Sequence, residues 1–158
     1  MGSELSPMPP LMVEEAMRMA VAGDPVGGGM LLGPLIEAGQ RECYALCAAL
    51  AAAATSGTGP KPENGMYVFE VADTFTGQPG QPEDMPPDLR FAGQFAVAYA
   101  NGDTGMARAL FDALAADADT EDGMDRVVDG VLALYQMAVA TTHALVAAQR
   151  SHHNQEED

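Results

Sequence analysis

From Asp119 or Thr120 to about Arg150 the chain holds one helical period, through Met124, Val127, Val128, Val131, Leu132, Leu134, Tyr135, Ala138, Val139, Thr142, Leu145 and Val146. An apolar arc this wide has to be covered from several sides, so the segment is predicted to be the central helix against which the rest of the chain packs. With 158 residues, 47% of them apolar, the chain is the size of one globular domain. Alanine supplies 28 residues, aromatics are only 6% and tryptophan is absent. Helices can therefore approach closely, around a core of Leu, Val, Met and Ala rather than bulky anchors.

The remaining elements are read from period and punctuation. Met1 to Pro10 holds three prolines and no period, and is expected to be a mobile arm on a single helical domain running from Leu11 to Arg150. Leu11 to Ala22 reads as a first helix, stopped by Gly23-Asp24-Pro25, and Val26 to Met30 with its three glycines as a flexible turn. A long second helix is predicted from about Leu31 to Thr55, with Pro34 in its first turn and Gly39, Cys43, Leu46, Cys47 and Leu50 on one face. Its C-terminal end is almost all Ala and is expected to be enclosed or covered by a partner.

Residues 57–87 form a Gly/Pro-rich excursion. Within it, Tyr67, Phe69 and Val71 alternate with Met66, Val68 and Glu70, which predicts a short strand over Met66 to Ala72. One strand cannot satisfy its own backbone, so it pairs either with Thr74 to Thr76 or with a second copy of the chain. Two further helices, Leu89 to Ala100 and Thr104 to Ala116, form a hairpin at Asn101-Gly102, with Asp103 as the cap of the second. Ser151 to Asp158 reads as a disordered tail. The predicted class is all-α, an orthogonal bundle of about five helices with one strand or hairpin in the central excursion.

The hairpin resembles a tetratricopeptide-type helical pair in Gly102, Ala107, Phe111 and Leu114, over some 30 residues. Tyr99 sits one residue closer to the glycine than that pattern asks, and no second copy follows at the repeat period. A generic αα-hairpin, in which Ala107 allows close approach, is the reading carried forward.

The formal net charge of −16, with a pI near 4.2, repels phosphates and anionic headgroups, so direct nucleic-acid binding is not expected. Six arginines against the single Lys61, with the Ala and Gly richness, point to a high-GC bacterial composition. No uninterrupted apolar run reaches the roughly 20 residues of a membrane span and no basic, apolar leader is evident, so a cytoplasmic, non-membrane protein is expected. Asp112, Asp117, Asp119, Asp122, Asp125 and Asp129 gather, with Glu121, around the junction of the last two helices. Their spacing places Asp122 where a calcium loop needs Gly and Val128 where it needs the closing Glu, so the cluster is read as a patch for Arg or Lys side chains of a protein partner. Cys43 and Cys47, one turn apart on an apolar face, read as core thiols rather than metal ligands. The glycines Gly27 to Gly29 lack the Gly-Lys-Ser/Thr ending of a phosphate loop. No cofactor or metal is expected.

These residues predict a noncatalytic interaction module that forms a homodimer and binds a protein partner, with Tyr67, Phe69 and Val71 or the Ala face of the second helix as the contact. The alternative is an acidic decoy or inhibitor occupying a basic, nucleic-acid-binding surface. An enzyme would need Glu37, Glu42 or His143 assembled in a concave site.

Overall fold

The computed structural model describes residues 8–56, 65 and 82–156. The fold is all-α over these residues: α1 (Pro9–Val21), α2 (Pro25–Met30), α3 (Gly33–Glu37), α4 (Gln40–Thr55), α5 (Pro87–Ala100), α6 (Thr104–Leu114) and α7 (Glu121–Glu156), with one turn of 3-10 helix at Pro82–Asp84. The expected strand, with Tyr67, Phe69 and Val71, lies outside the described residues, as does its partner segment. Two compact units divide the chain, one holding α1 to α4 with α7 from Tyr135 onward, the other holding α5, α6 and α7 up to Leu134.

In the first unit α1 starts at Pro9, where two prolines occupy the positions whose N–H groups have no intrahelical partner. Val13, Ala16, Met17 and Ala20 form its buried face. Gly23, at φ +100°, ends the helix, and the Asp24 N–H closes it by donating to the Met19 carbonyl at 2.9 Å. The Asp24 carboxylate then caps the next helix, accepting from the Gly27 N–H at 2.9 Å.

Two sequence expectations fail here. The expected flexible turn at Val26 to Met30 is instead α2. It packs against α1 because Gly28 carries no side chain: a Cβ there would stand 2.5 Å from both the Ala16 carbonyl oxygen and the Tyr135 hydroxyl. The expected continuous helix from Leu31 to Thr55 is instead two helices. Gly39 adopts φ +128°, a backbone conformation an L side chain rarely takes, and so marks the break between α3 and α4 rather than a place on one apolar face. Leu32, Leu35, Leu46, Leu50 and Cys47 are fully buried, each leucine contributing about 2 kcal/mol.

The Ala-rich end of α4 is more enclosed than exposed: Ala51 is buried, Ala53 and Ala54 are half-buried, and the Ala54 carbonyl accepts from the Thr141 hydroxyl of α7 at 2.8 Å. The Thr142 hydroxyl donates back to Ala138 at 2.8 Å, within its own helix.

In the second unit α5 and α6 form the expected hairpin. Gly102, at φ +72°, ends α5, the Asp103 N–H donates to the Ala98 carbonyl at 2.9 Å, and the Asp103 carboxylate accepts from the Met106 N–H at 3.0 Å. Phe91, Phe95, Phe111, Val127, Val131 and Leu134 fill the core, the rings of Phe91 and Phe95 lying 5.4 Å apart in a tilted pair. Gly130 is buried where α7 passes Leu114 and Phe91, the added Cβ meeting them at 2.9 and 3.1 Å. The last helix runs six residues past Arg150, to Glu156, through part of the segment expected to be a disordered tail.

Candidate protein-interaction surface

The turn between α6 and α7 is built around Thr120. Its hydroxyl donates to the Asp117 carbonyl at 2.7 Å and accepts from the Gly123 N–H at 3.0 Å, so it both closes the turn and caps α7. Glycine is required at 123 because a Cβ would run into the Asp117 backbone. This geometry puts the acidic residues on the first turns of α7, where the helix dipole favours negative charge. Asp112 is paired with Arg108 at 3.0 Å and Asp117 with Arg126 at 3.4 Å, both on the exposed surface, where such pairs contribute about 0–1 kcal/mol. Asp119, Asp122, Asp125 and Asp129 are exposed and have no ion-pair partner among the described residues. Among the described residues, no three of His, Cys, Asp and Glu come together so as to hold a metal ion.

Cys43 and Cys47 are both buried in α4 and free of disulfide. The hydrogen bond between them, then burial, pushes the Cys47 thiol well above its ordinary range, while the same bond acts downward on Cys43 against its own desolvation. The pair cannot ionise together, which fits two packed core thiols. Tyr135, by contrast, is a polar clamp: its hydroxyl donates to the Pro25 carbonyl at 2.8 Å, and burial followed by the Asp24 charge raises its pKa.

His143 and Glu37 are exposed, and Glu42 is half-buried in the first turn of α4. The depression beside the end of α7, about 530 Å³, is lined by Val146, Gln149, Arg150, His153 and Asn154, all from one helix. A wall from a single helix offers no convergent groups for bond-making chemistry.

Apolar surface left outside is the feature that sequence reasoning missed. Val26 and Met30, one turn apart on α2, are 73% and 75% exposed. α7 is also long and apolar enough, by length and composition, to cross a membrane, with a mean hydropathy of 1.5 over its most apolar 18 residues and only 28% of that stretch buried. The sequence reading dismissed such a span because it sought an unbroken apolar run. Here Gln136, Thr141, Thr142 and His143 interrupt a segment that carries no formal charge between Asp129 and Arg150. Beyond Thr142 every residue through Glu156 is exposed except the half-buried Val146.

Compared with known proteins, the chain matches no family model, no curated protein and no solved structure.

Proposed function

We propose that this chain is a noncatalytic protein-interaction module that works as a self-associating unit. The observation that carries the reading is the part of α7 between Asp129 and Arg150, which carries no formal charge and leaves Leu145 and its alanine neighbours in contact with water. A helix of that length is marginal when unsupported in water, and docking a second surface on it supplies the missing burial. Val26 and Met30 add a second apolar area on α2. The hydrogen bonds from Tyr135 to Pro25 and from Thr141 to Ala54 tie α7 to α2 and α4, and these contacts support reading α7 as a water-exposed helix rather than a bilayer span. Mass in solution, measured by light scattering over a concentration series, tests the reading: a dimer is expected, and a monomer at every concentration overturns it.

A second reading is favoured by the four exposed aspartates without partners, Asp119, Asp122, Asp125 and Asp129. They make an acidic decoy for a basic, nucleic-acid-binding surface a coherent alternative. Neutralising all four to Asn abolishes binding to such a surface on that reading, and unchanged binding removes it.

A further inference from the structure

We propose that Cys43 and Cys47 form a dithiol site for trivalent arsenic, taken up as neutral arsenous acid. They are the only two cysteines of the chain, they stand one turn apart on α4, and their side chains meet in a hydrogen bond. Both are free of disulfide and buried, Cys43 at 2% exposure and Cys47 at 0%. α4 lies wholly within the first compact unit, so the pair is complete there.

The chemistry of the pair selects the ligand. A cation binds thiolate and has to displace both protons into solution, which two thiols that cannot ionise together resist. No charged side chain is buried among the described residues, so the anionic complex of a monovalent ion with two thiolates would have no counter-charge in the core. Zinc needs four ligands, and no third His, Asp or Glu joins the cysteines among the described residues. Arsenous acid needs neither thiolate nor a further ligand. Each Sγ forms a bond to arsenic as one As–O bond breaks, and the departing hydroxyl leaves with the thiol proton as water. Two such condensations leave arsenic bonded to both sulfurs and to one hydroxyl, with two waters released, no electron transferred and no charge added to the core. Three-coordinate arsenic is pyramidal and holds its sulfurs at an angle, close to the contact that the hydrogen-bonded thiols already make. A linear two-coordinate ion would have to drive them apart.

Entry is through the start of the helix. α4 has no side-chain cap, and Cys43 closes its first turn, the Cys43 N–H donating to the Gly39 carbonyl at 3.0 Å. An uncapped first turn is where a helix opens most readily, so Cys43 is reached first and Cys47 then completes the bridge.

The experiment titrates the reduced full chain with sodium arsenite and follows native mass, thermal unfolding, and the thiols open to alkylation on brief transfer into denaturant. One arsenic per chain is expected, with both thiols blocked together and Tm raised, because the ligand binds the folded helix. Affinity should stay flat from about pH 6 to about pH 8, since no net proton is released. Cys43→Ala and Cys47→Ala are each expected to weaken binding at least tenfold, with circular dichroism confirming that the variants are folded. If either variant fails to fold, the alkylation pattern of the wild-type chain decides. One arsenic per two chains, an adduct that forms only in denaturant, or thiols that stay open in excess arsenite would each overturn the site. So would an affinity that climbs steeply with pH, which would mean that thiolates bind instead.

Discussion

The same two-residue corner occurs twice in this protein, and the helices launched from it differ. At Gly23-Asp24 and at Gly102-Asp103 a left-handed glycine ends one helix, the aspartate N–H seals that end, and the aspartate carboxylate caps the next helix three residues on. After Asp103 comes α6, an eleven-residue amphipathic helix with Ala107 and Phe111 buried. After Asp24 comes α2, six residues containing three glycines, with little helix propensity of its own. One corner launches a helix that its own sequence supports. The other launches a helix held from outside, by Gly28 lying against α1 and Tyr135 reaching to Pro25.

The contrast is broken most severely at Gly28. Gly28→Ala adds helix propensity yet drives a methyl into the Ala16 backbone, and the clash wins: a loss of about 2 kcal/mol is expected in chemical denaturation. Stability equal to or above wild type would mean that α2 is not clamped there.

Next in size is the Tyr135 hydroxyl. Tyr135→Phe removes the bond to Pro25 and is expected to cost about 1 kcal/mol at neutral pH. Because the folded-state pKa is raised above the ordinary value of 10.0, the stabilisation is complete below pH 10 and is lost as pH climbs through the folded value. Wild type should therefore lose stability more steeply than the Phe variant in alkaline titration followed by circular dichroism. Parallel curves would show that the hydroxyl is not the sensitive group.

The smallest effects separate the two caps. Asp103→Ala should cost about 1 kcal/mol and show as fraying of α6 by amide exchange. Asp24→Ala should cost less, since α2 is held by packing as well as by its cap, and should lower the Tyr135 pKa by removing the nearby charge. Equal losses at both sites would erase the distinction between the corners.

These corners also show how much could be read from the residues alone. Asp103 was legible as a cap and Gly102 as a stop because their signals are local, and the α5–α6 hairpin followed from them. Gly39 was misread because a glycine inside an apolar period looks like a small residue on a face, and only its φ of +128° reveals a break. α2 was misread for the opposite reason: its glycines have poor propensity, and the contact that rescues them comes from Tyr135, far along the chain. At the candidate site, the carboxylates at the start of α7 were visible as a cluster, and Thr120 as one of two candidate first residues. The exposed end of α7 was not, because an apolar period shows that a helix has something to bury without showing where along its length the covering stops.

The central claim is that the exposed end of α7 is where the chain meets another copy of itself. Amide hydrogen exchange over residues 143–156, compared between dilute and concentrated protein, tests it most directly. Protection of these amides is expected to rise with concentration while that of α5 stays constant. Exchange over this segment that is fast and independent of concentration, in a sample whose mass shows a dimer, would place the interface elsewhere and contradict the account.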